Sequence, residues 1–451
     1  MQPMLNQSFN IENLRRIFDY ENRRGVYLEG RFFPEIEEVA QAIKDCMADI
    51  RGLKKKKRTL LPQYYQLQKS ILNEEKRKLD LRKEELLSKE LGAICSEIGN
   101  GNIRIKIKSV TIPSGKPAYA VESTAKAYFI IKQLQYNLMK LYKVKQSSRH
   151  EIICQIKSIL EDRFPKYIIR TDIENFYESI PRESLLEKID QDALLALPSR
   201  NVIRQILSDY QSLSQASKGI PRGIGTSAYL SELYIRKFDD AVRSHEEIIF
   251  YARFVDDIVA IFSPRPNSSV AELLPFLENQ AAALGLNLNK AKTIERDLRK
   301  PQNTKLEYLG YEISFGDDPI KIGLSARRVT KYKSRIIKSF DAYQKQARFD
   351  EKKARRLLLK RMMFLTGNTR LLNNKANIMI GVFFANSLIS SVDELEEVDA
   401  ELKAQTDAIK SASLKSLLSR FSFKQGFLDR RFRKFTPSEI ADIVGLWSYE
   451  A

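Results

Sequence analysis

Three aspartates stand at the ends of apolar segments, where carboxylates can reach a shared ligand. Asp172 ends segment 167–172, which is typical of a buried strand. Asp256 and Asp257 lie between two segments rich in β-branched and aromatic residues, which predicts a β-hairpin with its tip at that pair. Carboxylates fixed at the edge of a sheet repel one another unless cations offset their charge. The pattern therefore indicates a divalent-cation site with oxygen ligands, which Mg²⁺ prefers.

Each of these features also has a plainer interpretation. An acid at the end of a strand is most often a cap or turn residue. Acidic pairs also recur at 239–240 and 317–318, so a pair by itself carries little information. The pair at 256–257 differs because strand-forming residues flank it on both sides. Two Mg²⁺ ions about 3.5 to 4 Å apart, held by carboxylates from different strands, are the usual device for phosphoryl transfer to a growing nucleic acid.

Composition favours the same chemistry. The 451 residues include 76 Lys plus Arg against 57 Asp plus Glu, a net charge of +19, which indicates a polyanionic partner such as nucleic acid. Only two histidines and three widely spaced cysteines occur, which argues against His-based hydrolases, zinc sites and a disulfide framework. No apolar run reaches about 18 residues and the N-terminus lacks a leader pattern. These features predict a cytoplasmic protein that does not span a membrane.

The surrounding patterns predict an α+β protein in three parts. Residues 1–100 form a helical N-terminal extension, with a helix break at Pro34 and long exposed helices over 51–93. Residues 101–315 alternate strands and helices, and the alternating segment 103–108 is predicted as their first strand. Residues 316–451 form a helical, basic C-terminal region. Within it, segment 326–361 carries 14 basic and 3 acidic residues, a net charge of +11.

Five blocks in this order resemble the motifs of the reverse transcriptase family. They are Asp172 with Phe176 and Tyr177 (motif A), 219–227 (motif B), 254–257 (motif C), 286–293 (motif D) and 308–311 (motif E). The resemblance implies a right-hand polymerase with fingers, a palm of antiparallel sheet plus helices, and a helical thumb. It implies RNA-directed DNA synthesis from dNTPs with two Mg²⁺ ions, for which Mn²⁺ can substitute.

The resemblance also assigns roles by position. Asp172, Asp256 and Asp257, assisted by the backbone carbonyl of Ile173, would hold the metals, and Lys292 would protonate the leaving pyrophosphate. Tyr177 would collide with a ribose 2′-hydroxyl and so select deoxynucleotides. The other nucleotide-binding candidates are Arg222, Gly223, Lys116, Arg149 and Lys157. The primer and template candidates are Tyr308, Leu309, Gly310, Tyr311, Arg327, Arg328 and Lys331.

Two positions depart from the common pattern of the family. Phe254 replaces the usual tyrosine of motif C and keeps the aromatic body. Arg222 replaces the usual glutamine of motif B, so a fixed charge would meet the substrate. The Pro-Arg-Gly form, with segments 166–172 and 365–375, resembles the antiphage branch of bacterial reverse transcriptases, including the b subunit of type 3 two-polymerase systems. That branch implies a non-coding RNA, a DNA product and a second reverse transcriptase as partners.

Two other functions remain open from the sequence. DNA synthesis without an RNA template, in the manner of a terminal transferase or guided by protein residues, would use the same scaffold, and Arg222 makes it conceivable. A non-catalytic RNA-binding scaffold is the alternative that needs no chemistry, and the intact Asp172, Asp256 and Asp257 argue against it. An RNA-dependent RNA polymerase is disfavoured because Tyr177 should exclude ribonucleotides.

Overall fold

The computed structural model describes residues 5–24, 26–99, 103–111, 117–144, 147–162, 164–266, 269–299, 304–315, 320–371 and 378–447. Helices and antiparallel strands alternate through the middle of the chain, and helices dominate both ends. The helices are α1 Ile11–Arg24, α2 Leu28–Phe32, α3 Pro34–Lys55, α4 Pro62–Gly99, α5 Ala125–Leu141, α6 Arg149–Leu160, α7 Phe176–Ser179, α8 Arg182–Asp192, α9 Leu197–Ser214, α10 Ser227–Arg243, α11 Leu273–Ala282, α12 Ala326–Gln346, α13 Glu351–Leu365, α14 Val382–Ala385, α15 Asp393–Asp407, α16 Ala412–Leu418, α17 Phe423–Leu428 and α18 Pro437–Val444. The strands are β1 Ile107–Thr111, β2 Pro117–Val121, β3 Tyr167–Asp172, β4 Ile248–Phe254, β5 Asp257–Phe262, β6 Ile294–Asp297, β7 Thr304–Tyr308, β8 Tyr311–Phe315, β9 Lys321–Leu324, β10 Asn368–Leu371 and β11 Ile378–Gly381.

A four-stranded antiparallel sheet in the order β4-β5-β3-β6 forms the palm. Its two central strands are apolar along most of their length because both of their faces are buried. Ile169, Ile258 and Ala260 face the large core that includes α5, α9 and α10. Ile168 and Val259 face a smaller core formed with α6 and the three-stranded sheet β7-β8-β9. Packing on both faces fixes the strand ends that carry the aspartates.

The C-terminal region has a hydrophobic core of its own. Ile336 and Phe340 of α12 pack with Leu358 and Met362 of α13, and α15 contributes Val398. The basic side chains of α12 and α13 alternate with these apolar positions, as expected for amphipathic helices. The helix pair predicted over 326–361 is therefore confirmed.

The N-terminal region is a helical layer on the large core. Pro34 is the first residue of α3, where a proline is tolerated because that N–H has no intrahelical partner, so the predicted break is confirmed. The first half of α4 is largely exposed, as the sequence predicted. Its second half carries Leu87, Leu91 and Ile94 into the large core.

The strand predicted over 103–108 is displaced along the chain. The structure begins β1 at Ile107 and pairs it with β2. Ile105 is fully buried, and the Gln205 side chain of α9 satisfies its backbone: Ile105 N donates to Oε1 at 3.1 Å, and its carbonyl accepts from Nε2 at 2.7 Å. A glutamine one hundred residues away therefore takes the place of a strand partner.

These elements confirm the predicted α+β fold, which matches a right-hand polymerase with an antiparallel palm sheet and a helical thumb. Over the residues that the structure describes, no helix combines the length and apolarity needed to cross a bilayer.

The loop before α10 is held against β2 and supplies a test of the fold. Gly223 has a φ of +97°, and a Cβ added there would lie 2.6 Å from the carbonyl oxygen of Tyr119. Gly223→Ala should lower the free energy of unfolding by about 1 to 3 kcal/mol because the backbone must rearrange. Urea unfolding measures this change.

Gly52→Ala is the matched control for the same exchange. No atom lies within 4 Å of a Cβ at Gly52, which sits inside α3. This variant should gain up to about 1 kcal/mol from helix propensity. An equal response of the two variants would contradict the assigned loop geometry.

Candidate active site

The register of β3 against β5 brings two of the predicted aspartates together. The two strands are antiparallel, and Asp172 lies directly opposite Asp257 in their register. Residues that face each other across a strand pair project to the same side of the sheet. Asp172 is 6% exposed, whereas Asp257 is half-buried. The two carboxylates therefore share one face at one edge of the palm.

Asp256 lies in the turn next to this pair. The hairpin was predicted with its tip at 256–257, but Phe254 pairs with Asp257, so Val255 and Asp256 are the turn residues. The Ile173 N–H donates to the carbonyl of Asp256 at 3.2 Å. This bond fastens the turn to the end of β3.

The turn contains an unusual backbone conformation. Val255 has a φ of +61°, which is costly for a β-branched residue. Its carbonyl accepts a hydrogen bond from Arg253 Nη1 at 2.7 Å. Arg253 is 6% exposed and also pairs with Glu232 at 2.6 Å and Asp239 at 2.8 Å, both on α10. A buried charge network therefore holds the strained residue that precedes Asp256.

Sequence reasoning missed Arg253, although one signal was present. An arginine inside a strand with apolar neighbours needs carboxylate partners if it is buried. Those partners, Glu232 and Asp239, lie 21 and 14 residues away on a helix. From the sequence, the pair at 239–240 indicated only that acidic pairs recur in this chain.

Two cations lie against the aspartates. Lys292 Nζ is 2.6 Å from Asp172 Oδ2, and Arg170 Nη2 is 3.1 Å from Asp257 Oδ1. Arg170 also donates to the carbonyl of Lys292 at 3.0 Å, which joins the two pairs. Burial raises the pKa of Asp257, opposed by Arg170 and reinforced by Asp256 and Asp172. The site therefore carries more negative charge than its own cations balance.

The donor set fits a divalent metal. Asp172 Oδ1 is buried and has no hydrogen-bond partner, an unsatisfied state that a cation would relieve. Carboxylate oxygens are the ligands that Mg²⁺ prefers. Among the described residues, no three His, Cys, Asp or Glu side chains already stand together as a formed metal site. A cation at Asp172 Oδ1 would compete with Lys292 for the same carboxylate.

The motif B arginine is engaged by an acid. Arg222 Nε and Nη2 each lie 3.1 Å from one oxygen of Glu178, a bidentate pair. The guanidinium carbon is 5.4 Å from the centre of the Tyr177 ring. The positive charge of Arg222, which the sequence led us to expect at the substrate, is thus balanced by Glu178 of α7, 44 residues earlier in the chain. Gly223 follows directly, in the loop packed on β2.

Of the three predicted nucleotide-binding cations that precede motif A, Arg149 and Lys157 are described, and both lie on α6. Arg149 begins α6 and its guanidinium lies 4.7 Å from the ring of Phe254, so it contacts the aspartate hairpin from the side. Lys157 lies two turns further along α6, and its Nζ is 3.8 Å from Glu161 Oε1. No described contact joins Lys157 to the aspartates. Lys116 lies outside the described residues.

The motif E hairpin lies beside the aspartates. The hydroxyl of Tyr308 donates to the carbonyl of Asp257 at 3.1 Å, and Tyr308 is 1% exposed. Leu309 and Gly310 both have positive φ and form the turn between β7 and β8. Glycine suits position 310 because its φ is +83°, and a Cβ there would lie 3.0 Å from the Arg328 guanidinium.

The remaining primer and template candidates lie on or against α12. The Tyr311 hydroxyl donates to the carbonyl of Ala385 at 3.2 Å, and Arg328 lies 4.7 Å from the Tyr311 ring. Arg327 and Lys331 are exposed on the first two turns of α12. Of the motif E and thumb candidates, Tyr308 is the one with a described contact to an aspartate residue.

The buried arginine network predicts a large loss of stability on truncation. Arg253→Met should lower the free energy of unfolding by about 3 to 5 kcal/mol because Glu232 and Asp239 would remain buried and unpaired. Arg77→Met on exposed α4 is the control and should change it by less than about 1 kcal/mol. Chemical unfolding measures both variants, and equal losses would contradict the role assigned to Arg253.

The raised pKa of Asp257 predicts a pH-dependent stability. The folded state holds the Asp257 proton more tightly than the unfolded chain, so this residue costs stability once pH rises above the ordinary aspartate value of about 3.9. In metal-free buffer, Asp257→Asn should melt at a higher temperature than wild type at pH 7. The gain should shrink as pH falls through the raised pKa of Asp257 and should vanish below about 4.

Exposed Asp240 provides the comparison for that measurement. Asp240→Asn should show little change across the same pH range. A melting temperature of Asp257→Asn below that of wild type at pH 7 would show that the Arg170 pair outweighs burial.

The comparisons with known proteins concern the segment that carries this site. Residues 120–313 match the family described as reverse transcriptase (RNA-dependent DNA polymerase). No curated protein matches the sequence. Among solved structures, apo telomerase from Candida tropicalis is 13% identical, with a TM-score of 0.37 over 76% of this chain and 62% of that chain.

Telomerase from Candida albicans, in complex with the TWJ fragment of telomeric RNA, is 14% identical, with a TM-score of 0.35 over 72% of this chain and 52% of that chain. The present chain thus spans little more than half of the telomerase chains that it matches. The family match covers all five blocks identified in the sequence. Residues 120–313 are therefore a reverse transcriptase domain.

Proposed function

We propose that this chain copies RNA into DNA by two-metal nucleotidyl transfer at Asp172, Asp256 and Asp257. The observation that carries the proposal is the strand register that sets Asp172 opposite Asp257, beside the turn that holds Asp256. The unpartnered, buried Asp172 Oδ1 supports a cation at this position. The Ile173 carbonyl is the proposed backbone ligand.

Two Mg²⁺ ions, with Mn²⁺ as a substitute, would supply charge neutralisation and a more acidic primer 3′-hydroxyl. The protein supplies the geometry and a proton. In the transfer, the 3′-oxygen bonds to the α-phosphorus and the bond to pyrophosphate breaks. Lys292 is more than half exposed and lies 2.6 Å from Asp172. Its ammonium can leave Asp172 and give a proton to the departing pyrophosphate.

Tyr177 is the proposed selector of deoxynucleotides. Its ring lies beside Arg222, which Glu178 holds in a bidentate pair. Because the pair restrains the guanidinium, Arg222 would act by positioning Tyr177 and the motif B loop, with less net charge toward the substrate. Arg149, stacked on Phe254, would stabilise the aspartate hairpin from the fingers side.

The thumb is the proposed nucleic-acid surface. Segment 326–361 has a net charge of +11, and Arg327 and Lys331 are exposed on it. A duplex that tracks such a surface releases counterions, so its binding should weaken steeply with salt. Tyr308, Leu309 and Gly310 would guide the primer end because their hairpin contacts Asp257. We propose RNA and the DNA product as the ligands.

The biological setting that we propose is antiphage defence, with a non-coding RNA and a second reverse transcriptase subunit as partners. The support is the resemblance of segments 166–172 and 365–375 to that branch. Within the second segment, the side-chain Oδ1 of buried Asn368 accepts a hydrogen bond from the Phe383 N–H at 2.9 Å, and the Asn368 N–H donates to the Arg431 carbonyl at 2.7 Å. Asn368 therefore organises the thumb, and residues 372–377 lie outside the described residues. The cytoplasmic location stays a prediction.

The test is nucleotide incorporation by the purified protein with Mg²⁺. Each dNTP or NTP is supplied singly and in mixtures, with the copurifying RNA intact or digested. Asp256→Asn should reduce incorporation by at least about 10²-fold because a metal ligand is lost. Asp240→Asn, in the Asp-Asp pair of α10, should keep wild-type rates. EDTA should abolish synthesis and added Mg²⁺ should restore it.

The arms of this experiment separate the candidate functions. Incorporation of dNTPs that stops after RNase supports RNA-directed synthesis. RNase-resistant synthesis from a restricted set of dNTPs would replace it with synthesis that needs no RNA template. Bound RNA without incorporation, alone or with the second subunit, would favour the scaffold. In cells that carry the native locus, Asp256→Asn should also abolish protection against phage if the defence role is correct.

A further inference from the structure

A cleft of about 370 Å³ lies away from the aspartates, between α1, α5 and the first turn of α10. Its size is that of a pocket for one small ligand. None of the sequence motifs includes it, since α1 belongs to the N-terminal extension. The aromatic side chains of Tyr20, Tyr136 and Tyr229 line the cleft.

Cations and aromatic rings are stacked in this cleft. The guanidinium of Arg16 lies 3.8 Å from the centre of the Tyr136 ring, and Lys140 approaches the same ring at 5.8 Å. Arg24 lies 5.4 Å from the ring of Tyr20, which is 52% exposed. The exposed ring of Tyr20, flanked by cations, offers what a nucleobase with its phosphate requires: a stacking surface and a charge partner.

The charge of the cleft is not balanced from within. Its cations are Arg16, Arg23, Arg24, Lys132 and Lys140, and its one acid is Glu21. Glu21 is buried and already bound: Lys132 Nζ lies 3.0 Å away, and the Tyr128 hydroxyl donates to it at 2.7 Å. Four positive side chains therefore remain to face an anionic ligand.

The cleft adjoins the motif B loop. Gln135 lines the cleft, and its amide lies against Gly225, where it occupies the space that a side chain would need. Tyr229, in the first turn of α10, lines the cleft from the other side. Gln135 therefore links the lining of the cleft to the loop that also carries Arg222 and Gly223.

We propose that this cleft binds one unpaired nucleotide of a single-stranded nucleic acid. The base stacks on the exposed ring of Tyr20, beside the Tyr136 ring that Arg16 covers, and the phosphates on either side contact Arg24 and Lys140. A strand explains the site better than a free nucleotide because a further exposed cation, Arg31 of α2, lies outside the cleft lining. Arg31 lies 5.2 Å from the ring of Tyr128, whose hydroxyl bonds Glu21 of the cleft. Stacking on tyrosine tolerates any base.

We identify the strand as the template because the cleft lies beside the motif B loop. This identification rests on the proposed function. The binding itself does not depend on polymerase activity. It can therefore be measured without metal or dNTPs, so the two proposals fail separately.

The first measurement is fluorescence anisotropy of a labelled mixed-sequence 12-nucleotide strand, as RNA and as DNA, with full-length protein. Tyr20→Ala should weaken binding by about fivefold or more, the loss expected for one stacked base. Tyr64→Ala is the matched control, because Tyr64 on α4 is 51% exposed. Arg24→Gln should lower the slope of log affinity against log salt by about 0.7, and Arg51→Gln, exposed on α3, should leave it unchanged.

The second measurement maps contacts and is insensitive to binding at other basic surfaces. The same strand with one 5-iodouracil is photocrosslinked, and the modified peptides are identified by mass spectrometry. Crosslinks at Tyr20 or Tyr136 support the proposal. Equal effects of Tyr20→Ala and Tyr64→Ala, with no crosslink in α1 or α5, would overturn it. Displacement of the strand by dAMP at equal nucleotide concentration would show a free-nucleotide site and overturn it as well.

Discussion

The pairing of β3 with β5 is the constraint on which the rest of the site depends. Side chains alternate between the faces of a strand, so a slip of one residue would turn Asp172 away from Asp257. The register is specified by burial on both faces, because Ile169 and Ile168 enter different cores. Beyond the strand, the Asn289 N–H donates to the Asp172 carbonyl at 2.8 Å, which continues the pairing to motif D.

The hairpin turn shows how an unfavourable conformation is kept in place. A positive φ at a non-glycine residue costs on the order of 1 to 3 kcal/mol. The bond from Arg253 to the Val255 carbonyl, a hydrogen bond from a charged donor, contributes a similar amount, about 1.5 to 3 kcal/mol. Glu232 and Asp239 hold Arg253 in turn, so α10 and the turn are coupled. The N-terminus of α10 also follows the motif B loop directly. One helix therefore positions both the motif B loop and the hairpin turn.

The sequence pattern was sufficient to predict those strands that form from the properties of neighbouring residues. The apolar segments around Asp172 and the 256–257 pair predicted their strands because burial and β propensity act along the chain. Contacts at long range could not be predicted. Gln205 bonds the backbone of Ile105, so the first strand begins later than predicted. Glu178 balances the charge of Arg222. Neither pair has a regular sequence spacing from which the contact could be predicted.

The position of the hairpin tip has the same explanation. An Asp-Asp pair is a common turn sequence, whereas a valine at a turn is not. The observed turn at Val255 and Asp256 is possible because Arg253 binds the Val255 carbonyl, and this depends on acids of another helix. A rule based on turn propensity therefore places the tip one residue too late. Functional sites are where such local rules are expected to fail.

The balance of charge at the aspartates links this geometry to catalysis. Three carboxylates face two cations, and burial disfavours the charged form of Asp257. The site therefore gains from any added cation that reaches Asp172 Oδ1. Once such a cation is bound, Asp172 no longer needs Lys292, whose flexible and exposed side chain can then reach a phosphate. Arg170 has no such freedom, because its planar group also bonds the Lys292 carbonyl. In the proposed mechanism the two cations thus differ in role: Arg170 links β3 to Asp257 of β5, and Lys292 is the one that can move with the reaction.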